Sequence, residues 1–279
     1  MTTRLLSSLL ALGLLALPAC KKTTDTTTPD DVVKPDPEPE PDPGPPPIPP
    51  QDPDPPEIKA LYERLLAGDF EAVATEAGTL RGTLSGDTQI RANAMAGAIQ
   101  ALAAAESIPE NAKEPAEKAV ADGDRLADAE VQQLALIAHA AYLLGVQDNV
   151  QAQAQAEKAA ALAGPRVGHA KILVATADLG QAFGTDEEGT EKLVAPEKLD
   201  SAYAAYEAAA ADPSGLIQAR AHEGMAEIDR QRATKESKAK GCEHAKQAFE
   251  LYGTNGATED LREGPKTISG TLKCKPKLK

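Results

Sequence analysis

The side chains best able to do chemistry are four histidines, three cysteines and a large excess of carboxylates, and their spacing decides what they could do together. His222-Glu223 opens the pattern in which two histidines four residues apart on one helix face hold zinc, but Ala226 stands where the second histidine would be. His139, His169 and His244 fall on other helical segments, so spacing predicts no metal pair. Asp122, Asp124, Asp128 and Glu130 alternate as in a calcium loop, yet Leu126 occupies the third ligand position and the sixth holds no glycine. Those acids read as a helix cap with a solvated face. No G-x-S-x-G, phosphate-binding loop or dinucleotide fingerprint occurs. The expectation is a protein that is not an enzyme, with no catalytic residues, no metal and no cofactor.

Cys20 belongs to a different chemistry. Arg4 precedes an unbroken apolar and small-residue run from Leu5 to Leu17, the layout of an export signal and too short to span a bilayer as a helix. The run ends in Leu17-Pro18-Ala19-Cys20, which resembles the lipobox of bacterial lipoproteins, with Pro18 a less usual choice at its position. The resemblance implies that the Cys20 sulfur takes a diacylglyceryl group, that residues 1–19 are removed, and that the mature chain is held to a membrane by its acyl chains. Two or three such chains make a lasting tether where one holds only marginally. Lys21 in place of aspartate is similar to the outer-membrane sorting signal, which implies the periplasmic face of the outer membrane, with surface exposure the other reading.

The other two cysteines, Cys242 and Cys274, agree with export: in an oxidising compartment they read as a disulfide, the alternative being two unpaired thiols. On the chain-entropy model, closing so long a loop contributes nearly ~4 kcal/mol, less any strain.

From residue 20 to 56 the chain is dominated by Pro, Asp, Glu and Thr, a composition that cannot form a core and is expected to be a disordered, extended linker. At about 3.1 Å per residue, Pro35 to Pro56 alone could reach on the order of 70 Å. The precursor's net charge of −14 becomes −15 once Arg4 leaves with the signal, which excludes nucleic acid as a partner.

Residues 57–252 read as an all-α domain. Alanine dominates, aromatic residues make up only 3%, and β-branched residues are too scattered for a sheet. Gly, Pro and Asp punctuation predicts ten helices in five antiparallel pairs: 57–67, 69–80, 87–106, 109–121, 128–144, 149–163, 165–183, 196–211, 214–232 and 242–251. Residues 253–279 are left as an irregular segment whose Lys266, Lys273, Lys275, Lys277 and Lys279 form a basic tail.

Leu179-Gly180 with Phe183, followed by Ala202, Tyr206, Ala209 and Asp212-Pro213, resembles the tetratricopeptide repeat, whose paired helices touch at Gly and Ala while an aromatic fills the gap. Gly68 to Ala72, Tyr142 to Pro165, and Ala245 with Phe249 are weaker copies. Departures are the insertion from Gly184 to Ala195 and uneven helix starts. The resemblance implies a solenoid of about five hairpins whose first helices line a concave groove, so Asn93, His139, Lys171, Arg220 and His222 are the candidate contacts for a protein or peptide partner. The function expected is a lipid-anchored envelope scaffold or adaptor, possible in envelope assembly; the alternative is a lipoprotein holding a small solute or cell-wall fragment. An enclosed pocket would favour the solute, an open strip the scaffold.

Overall fold

The computed structural model describes residues 48–162, 164–185 and 190–278. Cys20, the expected export signal and most of the Pro-rich segment lie outside the described residues. The chain runs α1 (Pro56–Leu66), α2 (Phe70–Thr83), α3 (Ile90–Ser107), α4 (Lys113–Leu126), α5 (Ala129–Gly145), α6 (Asn149–Ala161) and α7 (Val167–Ala182). A short hairpin follows, β1 (Phe183–Thr185) and β2 (Glu191–Leu193), and then α8 (Pro196–Ala209), α9 (Gly215–Arg232), α10 (Lys235–Thr254) and α11 (Glu259–Leu272). The fold is all-α apart from that three-residue antiparallel ladder, in which Gly184 pairs with Lys192. Among the described residues no helix is long and apolar enough to cross a membrane.

Capping side chains set several helix starts. Asp128 accepts from the Glu130 and Val131 amides, so the acids of the calcium-like stretch include a true helix cap. Asp148 accepts from the Gln151 amide, and Thr234 and Ser237 bond reciprocally at the head of α10. α4 and α9 end instead in left-handed alanines, Ala127 and Ala233, at positions glycine usually fills.

Each helix packs on the next in sequence, and α3, α5, α7, α9 and α11 also form a row in which each touches its successor. Alanine makes that closeness possible. In α3 the residues Ala92, Ala94, Ala96, Ala98, Ala101, Ala103 and Ala105 are all buried, and α5 hides Ala135, Ala138, Ala140 and Ala141. Burial all round the helix, rather than along one stripe, marks an element with neighbours on most sides.

α1 lies against α2 and α3 and bridges the two ends of this row. Its stripe Ile58, Leu61, Leu65 and Leu66 is buried, its Tyr62 hydroxyl reaches His169 Nδ1 in α7 at 2.8 Å, and the Ala67 carbonyl accepts from the Thr258 amide before α11 at 2.8 Å. The loop between α1 and α2 can approach that closely because Gly68 has φ of 94° and a Cβ there would sit 2.5 Å from Thr258 Oγ1.

Several expectations need correction. The Pro-rich segment does not run free up to residue 56: the Asp52 amide donates to Thr88 O, Gln51 bonds Asp87 O and the Arg91 amide, and Asp54 pairs with Arg91. The segment after residue 252 is not irregular, since α10 extends to Thr254 and α11 follows. Lys266 is accordingly no part of a solvated tail; its ammonium lies 2.6 Å from both Glu259 and Glu263. The insertion after Gly184 forms the hairpin. α7 ends one residue short of Phe183, because the Val194 and Ala195 amides close back on the Ala182 carbonyl.

Candidate functional site

A cavity of about 680 Å³ begins at the α5–α6 corner and runs between α7 and α9. A second, about 470 Å³, continues from it between α7, α9 and α11, the two sharing Thr176, Leu179 and Glu227. Both open to solvent on one side. Helical spacing builds this groove: α9 offers Arg220, Glu223, Glu227 and Gln231, spaced three and four apart, and α7 offers Ile172, Thr176 and Leu179.

α8 approaches α9 over Gly224, where a Cβ would fall 2.3 Å from the Tyr206 ring. Tyr206, buried in α8, shares a 2.9 Å hydrogen bond with Thr176 at the groove floor. Burial pushes its phenol up to about 12, so it is neutral and serves as a hydrogen-bonding group.

The charged stripe on α9 is held by its neighbours. Arg220 is nearly buried, lies 3.5 Å from Glu106 at the end of α3, and leaves Nε and Nη2 without partners. Glu223 accepts a 2.6 Å bond from the Tyr252 hydroxyl; burial raises its carboxyl above the usual range, against the lowering effects of that bond and of Arg220. Glu227 pairs with Arg230 and accepts from Gln231 at 2.8 Å. The groove therefore presents donors and acceptors of both signs beside apolar Ile172, Leu179 and Ile268, an arrangement suited to holding peptide groups.

Of the five side chains expected to line a groove, Arg220 lies in this one, while Asn93 borders a smaller cavity between α3 and α4 and His222 another beside α10. His222, two residues along, projects to the opposite side of α9, as a rotation of about 100° per residue requires, and its Nδ1 meets His244 Nδ1 of α10 at 3.1 Å. Asn93 is occupied by structure: its amide donates to the Arg81 and Leu84 carbonyls at the end of α2. His139 stacks on Tyr142 and lies within electrostatic range of Glu117 in α4 and Lys158 in α6. Lys171 is half-buried on α7 outside the two cavities. Tyr206, read as a repeat aromatic, also reaches the groove floor, and Glu223, Glu227 and Thr176 were missed. Their signal was the three-four spacing from Arg220 and the polar residues set into an otherwise apolar α7.

Cys242 and Cys274 form a disulfide with Cα atoms 5.5 Å apart, joining α10 to the residues after α11. His169, fully buried, is pushed down to about 3 by burial and by the nearby charges of Arg220 and Arg166. Among the described residues no three His, Cys, Asp or Glu side chains gather closely enough to hold a metal. No protein-family model matches this chain, and no curated protein or solved structure matches it.

Proposed function

We propose that this protein is a lipid-anchored scaffold of the bacterial cell envelope that receives a peptide segment of a partner protein in the groove between α7, α9 and α11. In this reading the helix pairs stack as a tetratricopeptide-like solenoid, with α3, α5, α7, α9 and α11 as its inner row and α4, α6, α8 and α10 outside. Cys20 carries the lipid, the Pro-rich linker holds the domain away from the bilayer, and the protein acts at the periplasmic face of the outer membrane in envelope assembly. It performs no catalysis.

The observation that carries the reading is a groove open along one side, continuous across two cavities, with paired charges on α9 facing apolar positions on α7. An extended chain needs both backbone hydrogen-bond partners and side-chain pockets, and this lining supplies both. Mixed charge also suits a protein partner better than a polyanion.

Two experiments test it. Cys20→Ser is expected to move the protein from the membrane fraction to the soluble one; unchanged sedimentation would remove the anchor from the account. Thr267→Trp, which fills the groove from an exposed position on α11, is expected to abolish the phenotype of the wild-type gene without changing the melting temperature by more than a degree or two. Full activity of that variant would place the partner elsewhere.

A second reading, a small solute, is favoured by one feature. A cavity of about 530 Å³ lies where α1 meets the body, walled by Pro55, Ile58, Leu66, Met95 and Pro165 with Arg166 at its side, and Arg166 Nε has no partner. An amphipathic carboxylate fits that chemistry.

A further inference from the structure

Two of the four histidines meet between α9 and α10, on the side of α9 turned away from the groove. Their Nδ1 atoms are 3.1 Å apart and the rings are stacked with centroids 5.2 Å apart. On the far side of His244, Nε2 lies 3.0 Å from the Tyr203 hydroxyl of α8. A histidine that gives Nε2–H to such an acceptor keeps a lone pair on Nδ1, aimed at its neighbour.

The separation is that of two ligands on one ion. With metal–nitrogen bonds of about 2.0–2.1 Å, two nitrogens stand about 3.3 Å apart on a tetrahedral ion and about 2.9 Å apart as neighbours on a square-planar one. The observed distance falls between those values. A third donor is near: Gln247, one turn beyond His244, buries an amide oxygen that falls outside hydrogen-bond geometry yet lies close enough to the His244 ring to act on it as an acceptor. Beside them a cavity of about 360 Å³, lined by His222, Gln247, Glu250, Leu251 and Thr254, opens to solvent, giving an ion access and leaving room for water ligands. Buried Asp229 lies within electrostatic range of His244 on the α9 side, with Arg232 3.8 Å from one of its oxygens.

We propose that His222 and His244 form a binding site for a divalent transition-metal ion of the zinc class, with Gln247 Oε1 as third donor, water completing the coordination, and Tyr203 as the positioning residue that orients His244. The ion takes the place of the proton shared between the two Nδ1 atoms. That proton moves to Nε2 of His222, so binding releases none and the site changes charge only by that of the ion. With two imidazoles rather than three or four strong ligands, the site is weaker than a structural zinc centre.

The test uses the full-length protein in detergent with Cys20→Ser, which removes the thiol outside the Cys242–Cys274 disulfide. Zn²⁺ titrated at pH 7.5 is expected to saturate one site. His222→Ala and His244→Ala should each abolish that isotherm, Tyr203→Phe should weaken it about 10- to 100-fold, and His139→Ala should leave it unchanged. Because an alanine variant could lose its fold, Cu²⁺ bound to the histidine-complete protein provides the second readout, with two imidazole nitrogens expected in its electron spin-echo modulation. No saturable Zn²⁺ binding, binding that survives both histidine substitutions in folded protein, or fewer than two coupled nitrogens would overturn the proposal.

Discussion

The helices from α3 to α6 and those from α7 to α11 are built from the same alanine-rich sequence but bury different things. In α3 the interior is almost wholly methyl and methylene, with Met95, Ile99 and Leu102 among alanines. Among the described residues α3 to α6 bury one polar side chain, Gln133 of α5, whereas from α7 onward the interior holds His169, Asp178, Asp229, Ser237 and Ser269, together with the Arg220, Glu223 and Tyr252 set. Asp178 shows why such groups are tolerated: it accepts from Lys198 Nζ at 2.6 Å and Ser201 Oγ at 2.5 Å, so its burial is compensated. Alanine contributes little apolar area per residue, and the first region makes up for this by close packing. The second region buries more polar groups, and there the groove and the histidine pair are found.

The comparison can be sharpened by removing what each region relies on. The largest effect is expected at the C-terminal end, where Cys274→Ser should cost nearly ~4 kcal/mol by the chain-entropy model and raise hydrogen exchange in α10 and α11 before α3 to α5. Uniform loss of protection would mean that the two regions unfold as one.

Next comes pH. His169 is held down to about 3 in the folded state but titrates at about 6.5 when unfolded. The unfolded chain thus binds the proton first, and stability falls as pH drops from about 6.5 toward 3. At 1.36 kcal/mol per unit, the loss between pH 7 and 4.5 is on the order of 3 kcal/mol. Urea titrations should show it, and His169→Gln, which keeps an acceptor for Tyr62, should flatten that slope. Glu223 works with the opposite sign: its raised carboxyl contributes stability that is full below the unfolded value and lost as pH rises through the folded one.

Ala98→Leu, at a fully buried position in α3, should cost about 1–3 kcal/mol by overpacking, whereas Glu250→Leu on the exposed face of α10 should be nearly neutral. The smallest effect is a gain. Ala233 closes α9 with φ of 54°, so Ala233→Gly is expected to stabilise by about 1 kcal/mol in thermal unfolding.

α5 was legible in the sequence because Asp128 caps its start and Gly145 closes it, whereas α4, expected over 109–121, runs from Lys113 to Leu126 and ends on left-handed Ala127 with no breaker to mark it. α11 was not legible, because Gly264, Pro265 and Gly270 lie inside it and read as punctuation. It persists because Pro265, Ile268 and Leu272 are buried and the disulfide fixes its far end, tertiary contacts that override propensity. The disulfide pairing was one of two open readings from compartment chemistry. The groove was not readable beyond Arg220, since choosing among polar residues requires knowing which side of each helix faces its neighbours, and a slip of two residues, as at His222, points to the opposite side.

The most direct test of the central claim is a photo-crosslinking amino acid placed singly at Gln231 in the groove and at Glu157 on the exposed side of α6, in cells carrying the native envelope. The account predicts a protein adduct from Gln231, suppressed by Thr267→Trp, and none from Glu157. Adducts from Glu157 with none from Gln231 would contradict it.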